Sequence, residues 1–301
     1  MSRADDIFEA ERHRLTGIAY RMLGELATAE DVVQEAWLRW QKSDRADVED
    51  PRAFLSTITV RLALDAMRAA RARRETYVGH WLPEPLLPDD VRAFAPAPDA
   101  RAELASDLSI ALLHVLERLS PEERAAFILH DAFDCDYAGI AAMLGKNEAA
   151  CRKLVSRARE RVRKDRPRYS VSKDAHREML HRFAQASATA DTATLAKLLA
   201  PDAIVYTDGG GKVGAALRPI YGADKVMRFF VAISRKAAAR FAFRFRPAEF
   251  NGRPALVMLT DGGIYLTLSI ETDGSRITQI FVMRNPDKLA RVAAELSGTA
   301  H

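Results

Sequence analysis

The stretch SPEERAAFILHDAFDCDYAGIAAMLGKNEAACRKLVSRARERVRK, residues 120–164, decides how the rest of the chain is read. Ser120, with Pro121 behind it and Glu123 at the third helical position, forms the capping box that opens a helix; proline fits there because the first turn needs no backbone N–H. This predicts one helix over Glu122–Phe133. Asp136 is placed to cap a short second helix, Tyr137–Leu144, and Gly145 suits the left-handed turn that ends it. Asn147 then caps a third helix reaching about Lys164. A short helix, a glycine turn and a longer helix are the parts of a helix-turn-helix.

Helical spacing gives the third helix two faces. Ala150, Cys151, Leu154, Val155, Ala158 and Val162 fall on the arc expected to pack inward. Ala149, Arg152, Lys153, Ser156, Arg159 and Arg163 fall on the opposite arc. Arg and Lys reach phosphates and guanine edges, and small residues let a backbone approach the groove. Between Lys146 and Arg168 ten basic residues face three acidic ones, a surplus of seven in a chain whose net charge is only +4. A solvated helix surface also collects charge, but this density favours a DNA-binding face.

Working toward the N-terminus, residues 5–74 read as helical. Asp50 and Pro51 mark a helix start, and neither Gly nor Pro interrupts the pattern from there to Arg74. In the helix Ala29–Trp40, Val33, Ala36, Trp37 and Trp40 share a core-facing side. Asp31, Gln34 and Glu35 lie largely elsewhere, where they offer acceptors and donors to a protein partner. The next helix carries Thr57, Thr59, Arg61, Arg68, Arg71, Arg73 and Arg74, a basic run that suits a nucleic-acid backbone, single strands included. Residues 75–100 hold Pro83, Pro85, Pro88, Pro96 and Pro98, which predicts an extended linker. Trp81, Leu82, Leu86 and Leu87 make it apolar enough that parts should dock on something.

After a break at Pro167–Ser172 the texture changes. Helical segments are expected near 173–187, 191–199 and 222–236. Alternating β-rich runs lie near 203–207, 241–249, 254–260, 264–271 and 276–284, with Asp261-Gly262-Gly263 and Asp273-Gly274 as hairpin turns. Asn285-Pro286 opens a last helix. This order implies an α+β domain, a curved sheet wrapped by helices.

The 301 residues are 48% hydrophobic, enough for ordinary cores in two or three domains. The two cysteines, Cys135 and Cys151, have no metal-ligand spacing and are expected to be reduced and packed. No apolar run approaches the roughly 18 residues of a membrane span. Asp5, Asp6 and Glu9 do not fit a signal peptide, so a soluble, cytoplasmic protein is expected, with no membrane partner and no cofactor.

These pieces converge on a resemblance. Residues 30–40, Glu-Asp-Val-Val-Gln-Glu-Ala-Trp-Leu-Arg-Trp, resemble region 2 of the sigma-70 superfamily, and Phe54-Leu55 through Asp65-Ala-Met-Arg68 resemble the helix after it. The 122–164 segment is similar to region 4. Regions 1 and 3 are not recognised, as in the extracytoplasmic-function (ECF) group. Residues 77–86, Tyr-Val-Gly-His-Trp-Leu-Pro-Glu-Pro-Leu, and residues 208–212, Asp-Gly-Gly-Gly-Lys, are similar to motifs of the sigma-J-like subgroup, whose members carry a C-terminal SnoaL-like (NTF2-like) domain.

The resemblance implies a multidomain chain: two all-α domains, a region 2 helical bundle over 1–74 and a region 4 helix-turn-helix over 106–168, joined by a Pro-rich linker over 75–105. A SnoaL/NTF2-like cone with a curved mixed sheet follows over 173–301. It implies a sigma factor, not an enzyme, directing promoter-specific transcription initiation. Asp31, Gln34 and Glu35 would bind core RNA polymerase at the β′ coiled coil, with region 4 at the β flap. Arg61, Asp65, Arg68 and Arg71 would hold −10 promoter DNA, and Arg152, Lys153, Ser156, Arg159 and Arg163 the −35 duplex. Trp81, Pro83 and Glu84, with Asp208, Gly209, Gly210, Gly211 and Lys212, would serve intramolecular docking of the C-terminal domain on the sigma part and modulate activity in cis. Asp208–Lys212 is not a P-loop, because Val213 follows the lysine.

A pocket lined by Tyr206, Phe229, Tyr265 and Met283 would suit a small apolar ligand. His176 and His181 lie on the first helix of that domain and His301 at the end of the chain, while Asp261 and Asp273 fall in turns, which argues against catalysis. Two readings compete: a ligand-responsive repressor that binds DNA without polymerase, and a SnoaL-type cyclase or isomerase with a DNA-binding appendage.

Overall fold

Asp50 accepts a hydrogen bond from the Ala53 amide at 3.1 Å, and Pro51 takes the first helical position, so this helix begins where its sequence says. The computed structural model describes residues 3–43, 48–74, 77–94, 107–165 and 171–298. The chain divides into two units, Met1–Thr76 with Pro88–Pro167, and Tyr77–Leu87 with Arg168–His301.

In the first unit, α1 (Arg3–Leu23), α2 (Leu26–Lys42) and α3 (Pro51–Arg74) pack on one another. Leu15, Ile18, Tyr20, Leu26, Trp40 and Leu55 are buried at their centre. Pro88 opens α4 (Pro88–Ala93) within the stretch expected as one extended linker, because proline tolerates the first turn of a helix. Prolines 96 and 98 lie outside the described residues. Then come α5 (Ile110–Leu116), α6 (Pro121–Phe127), α7 (Tyr137–Leu144) and α8 (Glu148–Asp165). The single helix expected over 122–133 instead widens into a π turn at Ile128–Ala132, where the Phe133 amide reaches back to the Ile128 carbonyl at 3.3 Å. One extra residue per turn leaves no mark in an apolar pattern.

Two buried arginines hold this unit together. Arg124 Nε donates to the carbonyl of Arg21 at 2.9 Å and Nη1 to Glu117 at 2.6 Å. Arg21 Nη1 donates to the Gly17 carbonyl at 3.1 Å and to that of Phe94 at 3.4 Å. Burial pushes the Arg124 guanidinium down to about 9 and that of Arg21 to about 10, so both stay cationic at neutral pH.

The second unit holds α9 (Lys173–Thr189), α10 (Thr192–Leu198), β1 (Leu199–Asp208), β2 (Ile220–Tyr221), α11 (Ala223–Ala238), β3 (Phe243–Phe250), β4 (Arg253–Thr260), β5 (Gly263–Thr272), β6 (Ile277–Met283) and α12 (Pro286–Gly298). The sheet order is β2-β1-β6-β5-β4-β3; β1 and β6 run parallel and every other pair antiparallel, which makes the sheet mixed. β2 pairs only Ile204 with Tyr221 and Val205 with Ile220, too short to show as an alternating run. Helices α9, α10 and α11 enclose one face over a core that includes Phe183, Leu195, Val205, Phe230, Leu268 and Ile280. α12 lies on the other face, where Val292 packs with Phe250, Ala255 and Val257. Sheet and helices make the α+β cone that the sequence implied.

Candidate functional site

On α2, Asp31 and Gln34 are exposed and Glu35 is half-buried, while Val33, Ala36 and Trp40 are buried on the opposite side. Glu35 pairs with Arg39 at 2.9 Å. Leu38 stands 40% exposed on the same face, since positions three and four apart are neighbours on a helix. A singly exposed leucine is ordinary on a protein surface, and Leu38 matters here only for its place beside Gln34 and Glu35.

Arg61 and Arg68 of α3 are engaged within the unit. Arg61 donates from Nε to the Met143 carbonyl at 3.2 Å and from Nη2 to that of Ala142 at 3.1 Å, which satisfies the exposed C-terminal end of α7. Arg68 pairs with Asp65 at 3.0 Å and lies 3.7 Å from Glu122, which also holds Lys146 at 3.0 Å. The side chain of Arg71 lies outside the described residues.

In the helix-turn-helix, Asp136 accepts from the Gly139 amide at 2.8 Å, Gly145 turns with φ 63°, and Asn147 accepts from the Ala150 amide at 2.8 Å. Cys151, Val155, Ala158 and Val162 are buried, as helical spacing requires. Lys153, Ser156 and Arg163 are exposed. Arg152 pairs with Glu148 at 2.5 Å and sits over the Tyr137 ring at 5.1 Å. Arg159 is held differently: Nε lies 3.0 and 2.9 Å from the two oxygens of Asp131, and this hydrogen bonding raises the arginine's pKa. The sequence placed Arg159 with the free basic arc; here it ties α8 to the π turn.

In the second unit, the segment Tyr77–Leu87 forms a strap on the C-terminal fold. The Asp208 carboxylate, 0% exposed, accepts from the Tyr77 hydroxyl at 2.6 Å, the Gly210 amide at 2.9 Å, the Leu82 amide at 2.9 Å and Lys288 Nζ at 2.9 Å. Lys288 also donates to the Leu82 carbonyl at 2.6 Å and lies 4.1 Å from the centre of the Trp81 ring. Asn285 donates to the Tyr77 hydroxyl at 3.1 Å. Farther along, the Leu86 amide donates to Asn251 Oδ1 at 3.0 Å, and the Asn251 amide returns a bond to the Leu86 carbonyl at 3.0 Å. Trp81, Leu82, Pro83, Glu84 and Leu86 are buried.

Asp208, expected among the docking residues with the glycines after it, is the buried end of β1. Gly209, Gly210 and Gly211 make a tight turn, since a Cβ on Gly210 would stand 2.5 Å from Asn285 and one on Gly209 2.4 Å from the Val213 carbonyl. Lys212 turns away to Asp287 at 2.6 Å, an exposed pair. Tyr77, Asn251, Asn285 and Lys288 complete the clasp. The sequence marks Asn285 only as a helix start, and Lys288, in the first turn of a helix that also carries Asp287, Arg291 and Glu295, gives no local signal of the clasp.

A cavity of about 410 Å³ opens between the sheet and helices α9 and α11. Phe229 and Tyr265 line it as expected, joined by Phe183, Phe230, Phe243 and Phe245. Tyr206 and Met283 do not line it. Side chains alternate across a sheet, so Thr207 and Val282 face the cavity while Tyr206 stacks on Phe281, with ring centres 5.5 Å apart, and under His80 at 4.9 Å. His176 is buried outside the cavity lining. Its pKa falls to about 4, first through burial and then through the charge of Arg253, with a backbone hydrogen bond to Ile270 opposing. Among the described residues no His, Cys, Asp and Glu cluster could hold a metal ion, and no helix is long and apolar enough to cross a membrane.

A basic helix-turn-helix packed in one unit with an acidic-faced helical bundle defines a DNA-binding protein of transcription. Residues 7–73 match the Sigma-70 region 2 family and residues 109–162 the Sigma-70, region 4 family. The chain is 40% identical over 297 residues to the ECF RNA polymerase sigma factor SigJ of Mycobacterium tuberculosis, an alignment that covers 93% of this chain and 91% of that protein. It is 31% identical to the probable ECF RNA polymerase sigma factor SigI of the same species, over 99% of this chain and 100% of that one. The crystal structure of SigJ superposes with a TM-score of 0.72 at 37% identity, covering 95% of this chain and 98% of that chain. The chain belongs to the ECF sigma factors of the sigma-70 superfamily.

Proposed function

We propose that this chain recruits core RNA polymerase to promoters in the cytoplasm, and that its C-terminal fold controls the process in cis by gripping the strap between α3 and α4. The observation that carries cis control is the clasp itself. The segment linking the two sigma regions is fastened at Leu82 and Leu86 by side chains that come from residues 208, 251 and 288. A linker fixed at both ends sets the span that regions 2 and 4 can reach, and a tethered clasp acts at high effective concentration.

In this reading Asp31, Gln34 and Glu35, with Leu38 among them, face the β′ coiled coil, and region 4 faces the β flap. Arg61, Asp65, Arg68 and Arg71 serve the −10 strand, where bases taken from the stack must be held. Arg152, Lys153, Ser156 and Arg163 serve the −35 duplex by phosphate and base-edge contacts, while Arg159 keeps α8 in place. Arg61 and Arg68 then exchange their present partners on α6 and α7 for DNA. The cavity of the C-terminal fold is assigned binding and not catalysis.

The test is in vitro transcription with purified core enzyme. Charge reversal at Asp31 and Glu35 is expected to abolish co-elution with core and run-off transcription together. Tight duplex binding with no association with core would favour a repressor. For cis control a point variant is cleaner than deletion after residue 170, which would bare Trp81, Leu82 and Leu86. Lys288→Met is expected to change promoter output; unchanged output removes the clasp from regulation.

A further inference from the structure

We propose that the cavity between the sheet and helices α9 and α11 is a binding site for a compact aromatic carboxylate, and not for a neutral apolar molecule. Six aromatic rings stand among its mostly apolar walls, and about 410 Å³ lies within the range of small-molecule sites. Its charged lining is of one sign: Lys236, Arg240 and Arg284, with no Asp or Glu among the described lining residues.

Two polar atoms of the lining decide the chemistry. Arg284 is oriented by Nη1 on the Gly214 carbonyl and by its guanidinium carbon 4.1 Å from the centre of the Tyr265 ring. Its Nε is buried and has no hydrogen-bond partner among the described residues. Ser187, 4% exposed on α9, presents a buried hydroxyl that likewise has none. Thr207, the neighbouring hydroxyl, is occupied by the Ala216 carbonyl at 3.0 Å. Both donors are already buried without a partner, which is unfavourable, and a neutral hydrocarbon in the cavity would leave them so. A carboxylate accepts from both donors, and its bond to the guanidinium is charge-assisted. The rings take up the ligand's apolar body.

The inference goes beyond the transcription reading and concerns the second unit alone, so it can be tested whether or not the protein binds polymerase. Full-length protein is titrated calorimetrically with 2-naphthoate, 2-naphthylmethanol and 2-naphthylmethylammonium. Naphthoate is expected to bind at least tenfold more tightly than the alcohol, and the ammonium not at all. Arg284→Met is expected to weaken naphthoate about 10- to 100-fold, down to the level of the alcohol. Ser187→Ala, which removes only the unpaired hydroxyl, is expected to weaken naphthoate about fivefold with an unchanged melting curve. Should Arg284→Met not fold, the three-ligand ranking and Ser187→Ala carry the test. No binding of naphthoate at about 1 mM overturns the proposal. So does an alcohol or ammonium that binds as well as the acid, or an Arg284→Met protein that keeps the preference.

Discussion

Lys288 Nζ lies 2.9 Å from Asp208 Oδ2, and the two side chains are 6% and 0% exposed. Both charges are fully satisfied, the aspartate by four donors and the lysine by a carbonyl and an indole face as well. A buried pair of this kind adds little over an apolar replacement of both partners, but removal of one partner strands the other. Lys288→Met is therefore expected to lower the stability of the second unit by about 3–5 kcal/mol. Equilibrium denaturation measures the loss, and amide exchange at Leu82 should quicken with it. A loss under about 1 kcal/mol would mean that the pair is more hydrated than its burial indicates.

Gly210 and Gly145 separate two effects of adding a methyl group. Both turn left-handed, at φ 64° and 63°. A Cβ on Gly145 meets nothing within 4 Å, whereas one on Gly210 stands 2.5 Å from Asn285 Cγ. Gly145→Ala is expected to cost about 1–2 kcal/mol from backbone strain alone. Gly210→Ala adds the clash and should cost more, with the strap loosened as Asn285 moves from Tyr77. Denaturation of the two variants side by side tests this; equal losses would show that Asn285 gives way freely.

The helix-turn-helix was legible because its signals are local. Ser120, Asp136, Gly145 and Asn147 each act within a few residues of themselves, and each stands where its chemistry placed it. The clasp was half legible. Asp208 and Trp81 were singled out, yet Tyr77 bonds to a residue 131 positions away and Lys288 to one 80 positions away, and no local periodicity encodes such separations. The cavity failed in a different manner: Tyr206 and Met283 are one residue off the correct face, and a one-residue slip in a strand reverses every side chain. The pairing of Arg159 with Asp131 was not legible, because Asp131 comes from a π turn that the apolar pattern concealed.

Glu122 lies 3.0 Å from Lys146 and 3.7 Å from Arg68, the latter a DNA contact in the proposed mode, and so offsets positive charge there. All three side chains are partly exposed, so Glu122→Gln is expected to change stability by less than about 1 kcal/mol. The same change frees positive charge on the first unit and should tighten duplex binding several-fold at low salt, with the gain fading as salt rises. Filter binding or anisotropy over a salt series reads both features. Weaker binding in the variant would indicate that Glu122 positions these cations for DNA.

His176 predicts how the second unit responds to acid. Unfolded, its imidazole takes a proton near 6.5; folded, burial and Arg253 hold it to about 4. The unfolded chain therefore binds more protons between those values, and protonation favours unfolding. The contribution is intact above about pH 6.5 and is lost progressively as pH falls toward 4, reaching about 3 kcal/mol. His176→Gln should flatten that part of the stability-against-pH curve. Denaturation midpoints from pH 4 to 8 for both proteins provide the comparison, and parallel curves would show that other groups dominate.

Lys153 and Arg159 lie on the same helix, and their substitutions should fail in different ways. Lys153 is exposed on the arc that faces duplex DNA in the proposed mode. Lys153→Ala is expected to weaken binding evenly across sequences and to reduce the slope of log affinity against log salt by about 1, the signature of one lost phosphate contact. Arg159 hydrogen-bonds both oxygens of Asp131, whose side chain is only 6% exposed. Arg159→Ala leaves that carboxylate buried without its cation and should cost about 1–3 kcal/mol of stability. Its salt slope at a temperature where both variants are folded should stay near that of the parent protein. An equal drop in slope for both variants would place Arg159 among the phosphate contacts, with Asp131 a partner it leaves when DNA arrives.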